Sequence, residues 1–358
     1  MTQKIVSGYD GSPQARAAGR WAAAEAERRG AELTLLRVWP WLGPADPEGP
    51  GADPVQQAEH DDLEALAAEL LAAHPDLAVA TQAAAGDPAD LLVEAAAHYD
   101  LAVLGSHGPG AVTDLWGGSV VRSVAARATC PVVLVREQPA DQDAQPAGTD
   151  TPLTAEAAAL TPAPAPAPAP VPVPVPAGDV AQAATATATE PDTATATMTA
   201  TVAAPPAPEP PRAAGAPERP EIVVGLAGDS SLPAVEFALA EAARSGGRVR
   251  AVHGWEMVPL WAGTPGWLPP DPDADRQGER IEADLDRLLA PARAAHPDVE
   301  LRVEADLGGA TGALLAAAEH ADLLVIGRHP HLLGNRLGPV VHAALRHSTA
   351  PVVLVPHE

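Results

Sequence analysis

Gly105 and Gly108 are separated by two residues, and Gly118 and Ser119 follow after nine more. Glycine lets main-chain N–H groups reach an anion with no Cβ in the way. The first turn of a helix adds unpaired donors and a partial positive charge. Ser119 opens an apolar-periodic segment, so its hydroxyl can cap that helix and also touch a phosphate oxygen. A strand ending at Gly105, a glycine loop and a helix start together predict a phosphate cradle and mark a nucleotide-binding candidate. No lysine follows the glycines as in a Walker loop, and no Ser-His-Asp, Cys-His or Cys/His metal spacing occurs. His107, inside the loop, can neighbour a phosphate or stand as a solvated loop residue. Arg122, one turn into the helix, can approach an anion or simply face solvent.

Cradles of this kind need a sheet to aim them. KIVSGY is a short apolar strand, and Ser12 and Pro13 open a helix that stops at Gly30: Ser caps well and Pro fits the first helical turn. ELTLLRVW (Glu32 to Trp39) is a second strand. After a Pro/Gly/Asp-rich stretch, Leu63, Leu66, Leu70 and Leu71 mark a helical stripe. DLAVATQAA, the helix opened by Asp87 and Pro88, LAVLG and PVVLV complete the pattern. Apolar strands alternating with helices predict a parallel sheet covered on both faces. Ligands bind such sheets at the strands' carboxyl ends, where Asp10 and Gly105 both fall.

The pattern occurs twice. IVSGYDGS (5–12) is echoed by IVVGLAGDS (222–230), a strand ending at Gly105 by one ending at Gly327, and PVVLV at Pro131 by PVVLV at Pro351. A repeat predicts two copies of one domain, over 1–136 and 220–358. Residues 137–219 hold a Pro/Ala/Thr-rich stretch that alternates Pro with small residues, which excludes helix or central strand and reads as a disordered linker. The chain is 358 residues long with a formal net charge of -25. That charge argues against a nucleic-acid partner, which needs a basic face. Its single cysteine, Cys130, excludes an internal disulfide framework and reads as a plain buried thiol. No apolar run has membrane-spanning length and no secretory leader fits the start, so a cytoplasmic protein without a membrane partner is expected.

The first copy resembles the ATP-binding type of universal stress protein (UspA family), through Gly105, Gly108, Gly118 and Ser119 in the family's G-x2-G-x9-G-[ST] loop and Asp10 at the end of strand one. The resemblance implies tandem five-stranded parallel α/β domains, Rossmann-like and similar to the adenine nucleotide alpha hydrolases. It implies ATP with Mg2+ or Mn2+ as ligand, Asp10 near adenine and ribose, and the Val38 backbone at the adenine. Val120 would add a backbone donor. It also implies pairing through the PVVLV edges, either as an intrachain pseudo-dimer or as a homodimer. Asp10-Gly11-Ser12 can equally be a simple strand-to-helix turn.

In the second copy the loop is two residues shorter, Pro330 and Pro339 replace Gly108 and Ser119, and Ala227 stands opposite Asp10. Proline has no N–H to donate, so this copy is expected to bind ATP weakly or not at all. The whole reads as a nucleotide-responsive stress-response module with at most slow hydrolysis. Two other readings stay open: an interaction protein without nucleotide, and an ATP-pyrophosphatase-like or electron-transfer-flavoprotein-like enzyme, which SGYDGS faintly resembles.

Overall fold

Ser12 accepts the Ala15 amide at 3.1 Å, Pro13 takes the first helical position, and Gly30, at φ 60°, ends the helix by turning its own N–H back onto Ala26 and Glu27. Asp87 caps a later helix in the same way, accepting the Asp90 amide at 3.0 Å. Around these stops the computed structural model, which describes residues 2–39, 54–106, 117–137, 219–256, 274–329 and 337–357, builds two α/β repeats. The first runs β1 (Lys4–Tyr9), α1 (Pro13–Arg29), β2 (Glu32–Trp39), α2 (Pro54–Ala73), β3 (Val79–Ala85), α3 (Pro88–Ala96), β4 (Leu101–Ser106), α4 (Gly117–Arg127) and β5 (Val132–Arg136). The second runs β6 (Glu221–Gly225), α5 (Leu232–Ser245), β7 (Arg248–Trp255), α6 (Ala274–Ala295), β8 (Glu300–Leu307), α7 (Ala310–Ala318), β9 (Leu323–Arg328), α8 (Pro339–His347) and β10 (Val352–Pro356).

Within each repeat the strands are parallel, and the two sheets join edge to edge into ten strands, ordered β3-β2-β1-β4-β5-β10-β9-β6-β7-β8. The joint is antiparallel: Val352 faces Leu134, Val353 faces Val133 and Leu354 faces Val132. Each apolar PVVLV edge thus satisfies the other's backbone, which removes two exposed edges.

Side chains alternate between two apolar layers, as the pleat requires. One holds Ile5, Leu33, Leu35, Leu63, Leu66, Leu239 and Leu289. The other holds Val6, Leu36, Leu92, Leu104, Val124, Leu314 and Leu324. Two expectations need correction. Leu63, Leu66 and Leu70 are buried, but Leu71 is 41% exposed, because it lies one step past the inward stripe. β3 is not apolar on both faces: four of its seven residues are exposed and none is buried, since an outermost strand has one neighbour and less cover. Most of 137–219 lies outside the described residues.

Two arginines cross the joint. Arg328, on β9, donates through Nη1 to Ala126 O at 2.5 Å and through Nη2 to Ala128 O, at the carboxyl end of α4. Arg136, on β5, donates to Leu345 O at 2.5 Å, in the last turn of α8. Each repeat therefore supplies a cation to the negative end of a helix in the other.

Candidate functional site

Register decides which predicted residues meet. Tyr9 faces Arg37 across β1 and β2, and Ser7 faces Val103 across β1 and β4. One residue beyond Tyr9 and Arg37, Asp10 and Val38 reach the same carboxyl edge of the sheet as Gly105 and Ser106. Gly118, Ser119 and Val120 lie in the first turn of α4, where backbone amides have no helical partner. Gly108 and His107 lie outside the described residues.

Each position has its own geometry. Asp10 is exposed and accepts the Ser12 amide at 3.0 Å. That bond is an Asx turn, so the strand-to-helix turn is present, and it uses one carboxylate oxygen. Val38 is half-buried. Gly105 is where α1 touches the sheet: a Cβ there would lie 2.4 Å from the Gln14 carbonyl carbon and 2.6 Å from the Ala15 nitrogen. Its lack of a side chain is thus required by packing as well as by any anion. The cap role expected for Ser119 needs correction. α4 begins at Gly117, so Ser119 is its third residue and offers a first-turn amide and an exposed hydroxyl. Arg122 is also exposed. Cys130 is 7% exposed, and burial pushes its thiol up to about 11.

A cationic group beside this edge escaped the sequence reading. The Tyr9 hydroxyl donates to Asp62 at 2.5 Å, and Asp62 also pairs with Arg16. The guanidinium of Arg37 lies 5.7 Å from the Tyr9 ring centre and 5.2 Å from that of Trp39, and that of Arg16 lies 5.9 Å from Tyr9. Burial first, and then the bond to Asp62, raise the Tyr9 phenol above its ordinary value. No local signal announces it: the β1–β2 register sets Arg37 beside Tyr9, and α1 brings Arg16 to the same ring.

In the second repeat the same edge is remade. Ala227 donates its amide to Ser231 Oγ at 2.8 Å instead of forming an Asx turn. Gly254 stands at the Val38 position, and a Cβ there would lie 2.4 Å from Ala310 Cα; the start of α7 presses onto β7. Gly338 precedes α8 with no side-chain cap, and Pro339 takes its first position. Pro330 lies outside the described residues. A cavity of about 280 Å³ opens here.

Two repeats of parallel strands alternating with helices define a mostly parallel α/β fold. The universal stress protein family model matches residues 1–136 and 218–356, and the chain belongs to that family. A universal stress protein of Mycolicibacterium smegmatis is 39% identical over 136 residues, covering 37% of this chain and 45% of the relative. This match therefore spans less than half the length of that relative. A universal stress protein of Thermus aquaticus, named for the QAH/OAS sulfhydrylase 3' region, is 36% identical over 148 residues, covering 38% of this chain and all of the relative. A universal stress protein structure from Archaeoglobus fulgidus superposes with a TM-score of 0.54 at 13% identity, covering 99% of this chain and 98% of that one; it shares the fold. Among the described residues, no helix is long and apolar enough to cross a membrane.

Proposed function

We propose that the first repeat binds ATP and that the chain is a nucleotide-responsive stress-response module acting in the cytoplasm, with the second repeat as its intrachain pseudo-dimer partner. One observation carries this reading: Asp10, Val38 and Gly105 share the carboxyl edge of the sheet that the first turn of α4, with Gly118, Ser119 and Val120, also faces. Those amides can take phosphate oxygens, and the remaining Asp10 oxygen can take a ribose hydroxyl. Among the described residues no group of three or more His, Cys, Asp or Glu side chains stands ready for a metal. Mg2+ or Mn2+ would therefore ride on the phosphates and waters, as hard cations do, with Asp10 or the Ser119 hydroxyl as the oxygen ligands at hand. The ion would neutralise phosphate charge. A nucleotide held by main-chain amides, with no lysine following the glycines as in a Walker loop, favours retention over rapid hydrolysis.

The test is thermal melting with and without Mg-ATP. At a ligand excess of about 100-fold over Kd, binding to the native state adds about 2.7 kcal/mol. At about 2–4 °C per kcal/mol for a unit of this size, the midpoint is expected to rise by about 5–10 °C. Gly118→Ala is expected to abolish the rise, because the methyl group stands between phosphate and backbone. No rise in either protein would favour the interaction reading.

A further inference from the structure

Beside the Asp10 turn lies a network with no part in holding phosphate. The Tyr9 hydroxyl donates to Asp62 Oδ2 at 2.5 Å, and the other oxygen of Asp62 accepts from Arg16 Nη2. Tyr9 is the last residue of β1, and Arg16 lies in the first turn of α1. One carboxylate, carried by α2, therefore grips the chain on both sides of the Asp10-Gly11-Ser12 turn. The tip of the turn rests on the same groups. Gly11 stands at φ 84°, a left-handed conformation that favours glycine. A Cβ there would lie 3.6 Å from Asp62 Oδ2 and 3.7 Å from Arg37 Nη1. Tyr9 and Arg37 are 4% and 7% exposed, so little water competes for these contacts.

The consequence falls on Asp10. Its Oδ1 accepts the Ser12 amide at 3.0 Å, which leaves Oδ2 for a ligand and ties its direction to the turn. Asp10 is exposed, and an exposed bond of this kind exchanges readily with water. Rigidity must then come from the residues on either side. It matters because an acceptor rejects a ligand lacking the matching hydroxyl only when it is held in place beforehand. Tyr9 packs in the apolar layer under α1 and α2, whereas Val38 and Val120 pack against the other layer. Tyr9 therefore acts through the turn rather than by touching a nucleotide.

We infer that Tyr9 and Asp62 are positioning residues that aim Asp10 and so set the preference of the first repeat for ribose over a sugar without hydroxyls. The inference rests on nucleotide binding at this edge, as proposed above. Calorimetric titration of the full chain compares ATP, 2′,3′-dideoxy-ATP and inorganic triphosphate, each with Mg2+. Wild type is expected to favour ATP over the dideoxy analogue by about tenfold, consistent with one hydrogen bond to a charged acceptor. In Tyr9→Phe, which keeps the ring, that ratio is expected to fall below about threefold, while triphosphate affinity stays within about twofold. Asp62→Ala is expected to do the same, and the double variant no more than Asp62→Ala alone, since both remove one bond. Hydrogen exchange without nucleotide gives a second readout: the Ser12 amide is expected to exchange about tenfold faster in either variant. A wild-type ratio retained in both variants, an equal loss for all three ligands, or unchanged exchange at Ser12 would overturn the positioning role. Wild type that binds neither ATP nor triphosphate would instead overturn the nucleotide reading, and the ribose role with it, while Ser12 exchange still reports the network by itself.

Discussion

Gly105→Ala is expected to destabilise the protein by about 3 kcal/mol, at the upper end of what one methylene costs in a filled core. The new methyl carbon would stand 2.4 Å from the Gln14 carbonyl carbon, 2.6 Å from its oxygen and 2.6 Å from the Ala15 nitrogen. All three are backbone atoms at the start of α1, held by the Ser12 cap, so no side chain can rotate away. Relief requires α1 to lift from β4, which disturbs the Asp10 turn that leads into the helix. The melting midpoint should therefore fall by about 6–12 °C, and the response to ATP should fall with it. Gly312→Ala is the control of opposite sign. It lies within α7 and a Cβ there meets nothing within 4 Å, so removing backbone freedom should stabilise by up to about 1 kcal/mol. Calorimetric melting of both variants checks the pair. A Gly105→Ala protein within about 0.5 kcal/mol of wild type, the range of a neutral surface change, would mean that α1 does not sit on β4 as described.

Local signals carried much of this fold. Ser12, Pro13 and Gly30 bound α1, and Asp87 and Pro88 open α3, because caps act within one turn and can be read from adjacent residues. The alternation of apolar strands with helices was enough for a parallel sheet. Asp10 and Gly105 were candidates by motif and Val38 by resemblance, and the register brings all three to one edge of the sheet. What local pattern could not give was anything set by contacts far apart in the chain. The two PVVLV segments are identical, so their meeting as β5 and β10 is a matter of which edges dock. Arg328 ends β9, and nothing in its local sequence announces that it reaches α4. The second repeat was read through its prolines as a lost site. Glu25 and Arg29 sit in an EAERR run at the end of α1, yet their side chains are 0% and 5% exposed, with Glu241 of α5 against Arg29.

Arg29→Ala should be the most damaging single change at the joint between the repeats, costing about 3–5 kcal/mol. Arg29 is 5% exposed; it pairs with Glu25, which is fully buried, and reaches Glu241, itself 5% exposed, at 2.9 Å. Its guanidinium also lies 5.4 Å from the Phe237 ring centre. Arg28 holds Glu25 and Arg244 holds Glu241, at the same three-residue spacing on α1 and α5, but Arg29 alone touches both carboxyls among the described ion pairs. Burial, against the pull of Arg29 and with Glu241 close by, raises Glu25 above the usual glutamate range. Burial pushes Glu241 up too, but its hydrogen bonds to Glu25 and Arg244 outweigh this and hold it low. The raised group contributes stability that is lost as pH rises through its folded value; the lowered one contributes stability that is lost as pH falls through its own. Removing Arg29 leaves buried negative charge with less compensation, and protonation becomes the remedy. The deficit of the variant should be largest at neutral pH and shrink as pH approaches the ordinary glutamate range, about 4.3. Urea unfolding of wild type and Arg29→Ala at both ends of that window measures it. Adding Glu241→Gln to Arg29→Ala should recover part of the loss at neutral pH, because the second change removes the stranded charge rather than a contact. A deficit that is independent of pH and not relieved by Glu241→Gln would show that Arg29 acts through packing on Phe237 alone.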